Sequence, residues 1–201
     1  MTAVFDSIDP DLARWIGAQH MFFVATAPTS PGGHVNVSPR GLDSFSVLGP
    51  LRVGWVDVTG SGIETIAHLQ ENGRVCLMFC SFDARPRIVR LHGRGRVVAP
   101  GTPEFDEVAA LHPAHTGARA VVVVDVTRVS DACGWGVPIM DLVGERDVLE
   151  TWATKKGDDG LAAYQALKNA RSIDGLPGLP GASGAVEPVR AGAGDLVPPV
   201  G

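Results

Sequence analysis

The stretch Leu51-Arg52-Val53-Gly54-Trp55-Val56-Asp57-Val58-Thr59-Gly60-Ser61-Gly62-Ile63-Glu64-Thr65-Ile66-Ala67-His68-Leu69 passes from a strand through a glycine-rich turn into a helix. Its first eight residues are dominated by β-branched and aromatic types, which suit a half-buried pleated surface. Gly60 and Gly62 break that pattern, and helical spacing of apolar residues follows as far as Asn72. Five more segments share the strand texture: Met21 to Thr26, His34 to Ser38, Val75 to Ser81, Arg87 to Val98 and Val121 to Val129. Only short helices lie among them, one opening at Asp9-Pro10 with an acidic cap and a first-turn proline, one over Gly62 to Asn72 and one over Pro103 to Leu111. Six strands without a regular helix between each pair predict a mainly β (α+β) chain, a six-stranded antiparallel sheet closing into a split β-barrel with short helices.

Composition narrows the function classes. A chain of 201 residues with 45% hydrophobic and 19% charged content can bury a sizeable core, which excludes a disordered or fibrous protein. Seventeen basic against 22 acidic residues give a net charge of −5, against the broad basic face of a dedicated nucleic-acid binder. The apolar run Met21 to Ala27 is far short of the ~20 residues of a membrane span. These readings predict a cytoplasmic protein without nucleic-acid or membrane partners. Three cysteines, an odd number, fit a reducing compartment. Cys76 and Cys80, four apart in a strand, have Cα atoms roughly 13 Å apart and cannot pair, and the cysteines are expected to be buried structural thiols.

From Gly144 the texture changes to apolar residues at spacings of three and four, through Trp152 and on over Leu161 to Ala170. This divides the chain into a barrel domain (1–143), a helical extension (144–174) and a Gly/Pro-rich tail (175–201). With seven glycines and five prolines in 27 residues, the tail is expected to be a loose appendage.

Three constellations could carry chemistry. In His34-Val35-Asn36-Val37-Ser38-Pro39-Arg40-Gly41, strict alternation puts His34, Asn36 and Ser38 on one strand face and Val35 and Val37 on the other. One face is expected to be core and the other polar, with Arg40 at the strand mouth either as an ordinary turn arginine or as a bidentate phosphate clamp. Ser61 and Glu64 have the spacing of a capping box, and the glycines around Ser61 let a backbone approach a ligand, so this turn reads equally as a structural cap or as a phosphate cradle. It lacks the Lys-Ser/Thr of a nucleotide-hydrolysing loop. Arg90, His92, Arg94 and Arg96 share one strand face, a basic stripe best used in ion pairs. His68 follows the cradle on its helix, where a satisfied structural histidine is the expected role. No GxSxG elbow, HExxH or zinc-ligand spacing is present, so reactivity is expected from a bound cofactor.

Taken in order, Asn36-Val37-Ser38-Pro39-Arg40-Gly41, Val53 to Gly62 and Arg87-Ile88-Val89-Arg90-Leu91-His92-Gly93 resemble the pyridoxamine 5′-phosphate oxidase-related family of FMN-binding split barrels, over roughly residues 15 to 130. The resemblance implies a flavin-dependent oxidoreductase acting on a small molecule, or alternatively a non-catalytic flavin, deazaflavin or haem binder. It implies a homodimer with cofactor sites between subunits, the FMN ring against Asn36, Val37 and Ser38 and the phosphate among Arg40, Thr59, Ser61 and Thr65. Arg90, in the third matched segment, joins the cofactor-binding set. The chain departs from the oxidases in two places. Where they carry a Ser-Arg-Lys cluster, Ser61-Gly62-Ile63 has no base, so Arg40 or a partner residue must compensate, and the Arg-containing final strand that reads pyridoxal is missing.

Overall fold

The computed structural model describes residues 3–179. Eight strands and four helices alternate as β1 (Ala3–Phe5), α1 (Pro10–Gly17), β2 (Phe22–Thr26), β3 (Asn36–Arg40), β4 (Phe45–Gly49), β5 (Arg52–Val58), α2 (Glu64–Asn72), β6 (Arg74–Cys80), β7 (Ile88–Val98), α3 (Pro103–Ala109), β8 (Ala118–Ala132) and α4 (Val148–Lys168). Every strand pairing is antiparallel, in the order β3-β2-β6-β7-β8-β5-β4, with β1 added to β8. The architecture is thus mainly β with short helices, as the strand texture predicts. It has eight strands rather than six, and among the described residues no ladder joins β3 to β4, so hydrogen bonds do not close the sheet.

Local chemistry explains the elements. The Asp9 carboxylate accepts the Leu12 N–H at 2.7 Å and Pro10 occupies the first turn, so α1 begins where the sequence places it and directs Leu12 and Ile16 inward. α3 repeats the device, with Thr102 accepting from the Phe105 N–H and Pro103 opening the helix. The core under α1 is built from alternate residues of five strands, including Phe22, Val24, Trp55, Leu77, Phe79, Leu91 and Val129. Phe45 brings β4 into this core, its ring centroid 5.0 Å from Phe22 and 4.9 Å from Phe79. α3 covers a second cluster around Val56, Val121 and Val123.

The outward alternation of β3 is the reverse of the expected one. Asn36 and Ser38 turn toward the molecule, while Val35 and Val37 are 72% and 61% exposed. The polar residues find partners on α2 and β2, which the alternation cannot reveal because it fixes which residues share a face and not which face is inside. The basic stripe is used as expected at one end: Arg96 pairs with Glu104, which Arg52 also reaches, and Arg94 donates to the Asn72 carbonyl. All three cysteines are free. Cys80 is buried and Cys76 half-buried, with burial pushing both thiols up, whereas Cys133 is exposed, contrary to the expectation of buried thiols throughout.

α4 is broken at Gly157 (φ 63°, ψ 176°) and its second half runs back along the turn after β5. Beyond it, Gly178 N–H donates to the Ala170 carbonyl and Arg171 bridges Pro177, so residues 175–179 of the Gly/Pro-rich segment are held. The rest of that segment lies outside the described residues. Among the described residues no helix is long and apolar enough to cross a membrane.

Candidate functional site

A carboxylate near the end of an apolar strand marks the site. Asp57 is fully buried at the end of β5, and burying an ionised carboxylate requires compensation. Two arginines supply it. Arg119 of β8, itself buried, donates from Nε to Asp57 Oδ2 at 2.7 Å, and Arg40 at the end of β3 brings Nη1 to 2.7 Å from Oδ1. Arg119 then spends its fork on the Gly60 and Gly62 carbonyls and on Asn169 Oδ1, while Asn169 Nδ2 donates to Gly60 O. The turn after β5 is therefore shaped by its carbonyls, two of which grip the Arg119 guanidinium.

Over this turn lies a small cavity of about 140 Å³ lined by Ser38, Arg40, Gly60, Gly62, Glu64, Thr65 and Arg119, with Pro39 at its edge. Ser38 donates to Asn36 Oδ1, and Asn36 Nδ2 donates to Thr65 Oγ1 at 3.1 Å and, more loosely, to Thr26 Oγ1. Thr26 in turn meets His68 Nδ1 at 2.9 Å. His68 is buried with Nε2 unpartnered, and burial pushes its pKa down, partly opposed by Asp174, Glu64 and Glu71.

The capping box is not formed. α2 starts at Glu64 with Ile63 as its cap residue, and no side chain caps it. Ser61 is exposed and makes no cap bond. The Glu64 carboxylate folds back to accept the Ile63 N–H at 3.0 Å and the Ile173 N–H at 3.3 Å. The reason is a shift of the helix start by two residues: with Ile63 as the cap residue and Glu64 at the first helical position, Ser61 lies too far upstream to reach the N2 or N3 amide.

The structure brings Ser38, Arg40 and Thr65 to one cavity, with Asn36 directly behind. Val37 projects from the opposite face of β3. Thr59 faces away, donating to the Gly117 carbonyl and accepting from Gln165 Nε2. Arg90 lies in the middle of β7, opposite Met78 and Ser130, and is not among the lining residues. Asp57, Arg119 and Asn169 were missed by sequence reasoning. The signal for the first two was a single charge within the apolar run Val53 to Val58 and another immediately before the apolar run Ala120 to Val124, and β5 and β8 pair at Asp57↔Ala120. The segment after α4 also closes on the site: Asp174 accepts from the His34 N–H at 2.8 Å and meets His34 Nδ1 at 2.6 Å.

Comparison with known proteins gives concordant results. The sequence signature of the pyridoxamine 5′-phosphate oxidase family matches residues 8–133. A pyridoxamine 5′-phosphate oxidase family protein, ustO of Aspergillus flavus, is 41% identical over 196 residues, spanning 88% of this chain and 78% of the relative. Among solved structures, a histidine-to-alanine variant of HupZ from Group A Streptococcus superposes with a TM-score of 0.51 at 19% identity, over 62% of this chain and 99% of that one. This last likeness concerns the fold.

Proposed function

Because the chain belongs to the pyridoxamine 5′-phosphate oxidase family, we propose that it is a flavin-dependent oxidoreductase that holds FMN at the β3–α2 cavity and acts on a small molecule. The observation that carries this reading is the surplus of donors there. Arg40 Nε is buried with no acceptor among the described residues, and Asp57 Oδ1 meets Arg40 only at Nη1, as an ion pair out of hydrogen-bond alignment. The Thr65 hydroxyl accepts from Asn36 and keeps its own proton to give. The opening turn of α2 adds backbone N–H groups that lack intrahelical acceptors. A site rich in donors and poor in free acceptors suits an anion.

The residues present fit a flavin phosphate, though by directed donors rather than by net charge. Arg40 and Arg119 are balanced by Asp57 and Glu64, and both Glu64 oxygens already hold backbone N–H groups. In this reading Arg40, Thr65 and the first turn of α2 grip the phosphate, while Ser38 and Asn36 line the ring end. Bound flavin supplies the redox chemistry. The chain's own residues bind and orient: Arg119 fixes the turn, Asp57 aims Arg40, and the Thr26–His68 pair sets Asn36. Among the described residues the carboxylate lining the cavity, Glu64, is engaged by backbone N–H groups, so in this reading the protein holds the cofactor rather than moving protons. The exposed Val35 and Val37 at β3 and the apolar segment after β8 support a homodimer.

The test is the visible spectrum of the purified full-length chain, identification of the released chromophore by mass, and FMN titration of the apoprotein. Flavin bands, saturable FMN binding and bleaching by a reductant that a substrate then reverses are expected. A chain that fails to bind FMN, or that carries haem, overturns the proposal. Saturable binding without turnover of any kind leaves a flavin-binding protein and overturns the oxidoreductase part.

A further inference from the structure

A second cavity, of about 580 Å³, does not coincide with the site above. Its floor is Val97 of β7 with Ala118 and Ala120 of β8, its outer wall is Ala162 and Ala166 of α4, and Leu179 closes one end. Ala162 and Ala166 lie on one helix face, four residues apart, and both are exposed, so the cavity opens between α4 and the sheet. α4 lies outside the matched family segment of residues 8–133, so the outer wall of this space comes from the extension and its floor from the family segment.

Its polar groups define what could enter. Arg119 separates this cavity from the first, but its guanidinium is turned to Asp57, Asn169 and the carbonyls of Gly60 and Gly62. The two remaining polar side chains are Gln70 and Gln165. Thr59 spends its hydroxyl proton on the Gly117 carbonyl, so Gln165 must offer its amide N–H to Thr59 Oγ1, as it does at 2.8 Å. Gln70 Nε2 donates at 2.9 Å to the Gly178 carbonyl, which can only accept. Both amides are thereby oriented, and among the described residues no donor reaches either Oε1. The cavity thus combines apolar walls with neutral hydrogen-bond acceptors and no free charge. Its size and character are those of small-ligand pockets.

We propose that this cavity between α4 and the β7–β8 face binds an uncharged, largely apolar small molecule bearing a hydrogen-bond donor, whose N–H or O–H meets Gln165 Oε1 or Gln70 Oε1. The inference is independent of the flavin reading, since the Gln70, Gln165, Ala162 and Ala166 side chains it tests are not among those assigned to the cofactor and its test does not involve the cofactor.

The test uses the full-length chain with labelled alanine methyls and two isosteric probes, indole, which has an N–H, and benzofuran, which has an oxygen in its place. Indole is expected to shift the Ala118, Ala162 and Ala166 methyl resonances saturably, and benzofuran to bind about fivefold to tenfold more weakly, the loss of one neutral hydrogen bond. Gln165→Leu with Gln70→Leu should erase the preference between the probes. Ala166→Leu should fill the space and abolish binding at an unchanged or higher melting temperature, and Ala162→Leu, one turn earlier, repeats the test should that variant misfold. Methyls that indole does not move overturn the proposal, including the case in which the chain beyond Leu179 already occupies the cavity. So do equal affinities for the two probes, or indole binding that survives in both leucine variants.

Discussion

Arg119 and Arg40 share one buried carboxylate but carry different loads. Arg119 is enclosed and holds Asp57, Asn169 and two turn carbonyls, so Arg119→Met leaves Asp57 with only the imperfectly aligned Arg40. Breaking a buried pair from one side costs about 3–5 kcal/mol, and a correspondingly lower denaturation midpoint is expected. Arg40 is partly accessible, and its loss leaves Asp57 still bonded to Arg119. Arg40→Ala should therefore keep the fold while weakening FMN binding about tenfold to a hundredfold, with Arg40→Lys recovering only part. Flavin titration beside chemical denaturation separates the two roles; a large stability loss in Arg40→Ala with unaltered affinity would place the phosphate elsewhere. His68 adds a pH dependence. Burial holds its folded pKa below the ordinary value of 6.5, so its contribution is complete above that value and is lost as pH falls through the lower folded value. His92 and His112 are lowered by burial as well and act with the same sign. Melting temperature should fall as buffer is taken from about pH 7.5 to about pH 5.5, and His68→Gln should flatten that slope.

At the scale of the element, the turn from β5 into α2 shows where sequence reading works and where it stops. The strand, the glycine turn and the helix all stand where β-branched and helical spacing put them. The cap does not, because Ser61-x-x-Glu64 satisfies the spacing of a capping box and only the dihedral of Ile63 decides where the helix begins. Ser61→Ala is accordingly expected to leave the melting temperature unchanged, where a true cap would cost about 1 kcal/mol. Glu64→Gln tests the same element from the other side. Its carboxylate sits beside the proposed phosphate, so neutralising it should tighten FMN binding severalfold, and the weaker acceptor left for the Ile63 and Ile173 N–H groups should lower stability slightly. A looser FMN complex in Glu64→Gln would mean that the carboxylate orders the site more than it repels the anion. β4 went unread for a related reason. Phe45-Ser46-Val47-Leu48-Gly49 is short, half-buried throughout and irregular where it meets β5, with a register shift after Val47, so it lacks clean alternation. Its place in the sheet is fixed by Phe45 packing on Phe22 and Phe79, a contact no local pattern encodes.

For the molecule as a whole, the mainly β character and the antiparallel pairing were legible because they rest on local texture, whereas the two further strands, Asp57–Arg119 and the inward face of β3 were not, because they depend on residues brought together from as far as 62 positions apart and on which side the core lies. That inverted face leads to the last prediction. Val37 on β3 and Val35 just before it stand exposed, Val4 on β1 is 56% exposed, and the segment between β8 and α4 presents Trp135 at 83% and Val143 at 100%, with Ile139 and Met140 between them. Apolar surface of this extent on a single copy calls for a covering partner, and a second copy meets the requirement symmetrically, since each would offer the same valines and the same segment to the other. Light scattering should give twice the mass of the 21.0 kDa chain. Trp135 emission should shift to the blue as concentration rises, and melting temperature should rise with it, because association stabilises the folded state by mass action. Val37→Lys places a charge on the exposed edge and should shift the equilibrium toward monomer without touching Ser38 or Arg40. If the dimer completes the flavin site, FMN affinity must fall in Val37→Lys in step with the dimer fraction; a monomeric Val37→Lys that binds FMN at full affinity would show that each chain holds its cofactor alone.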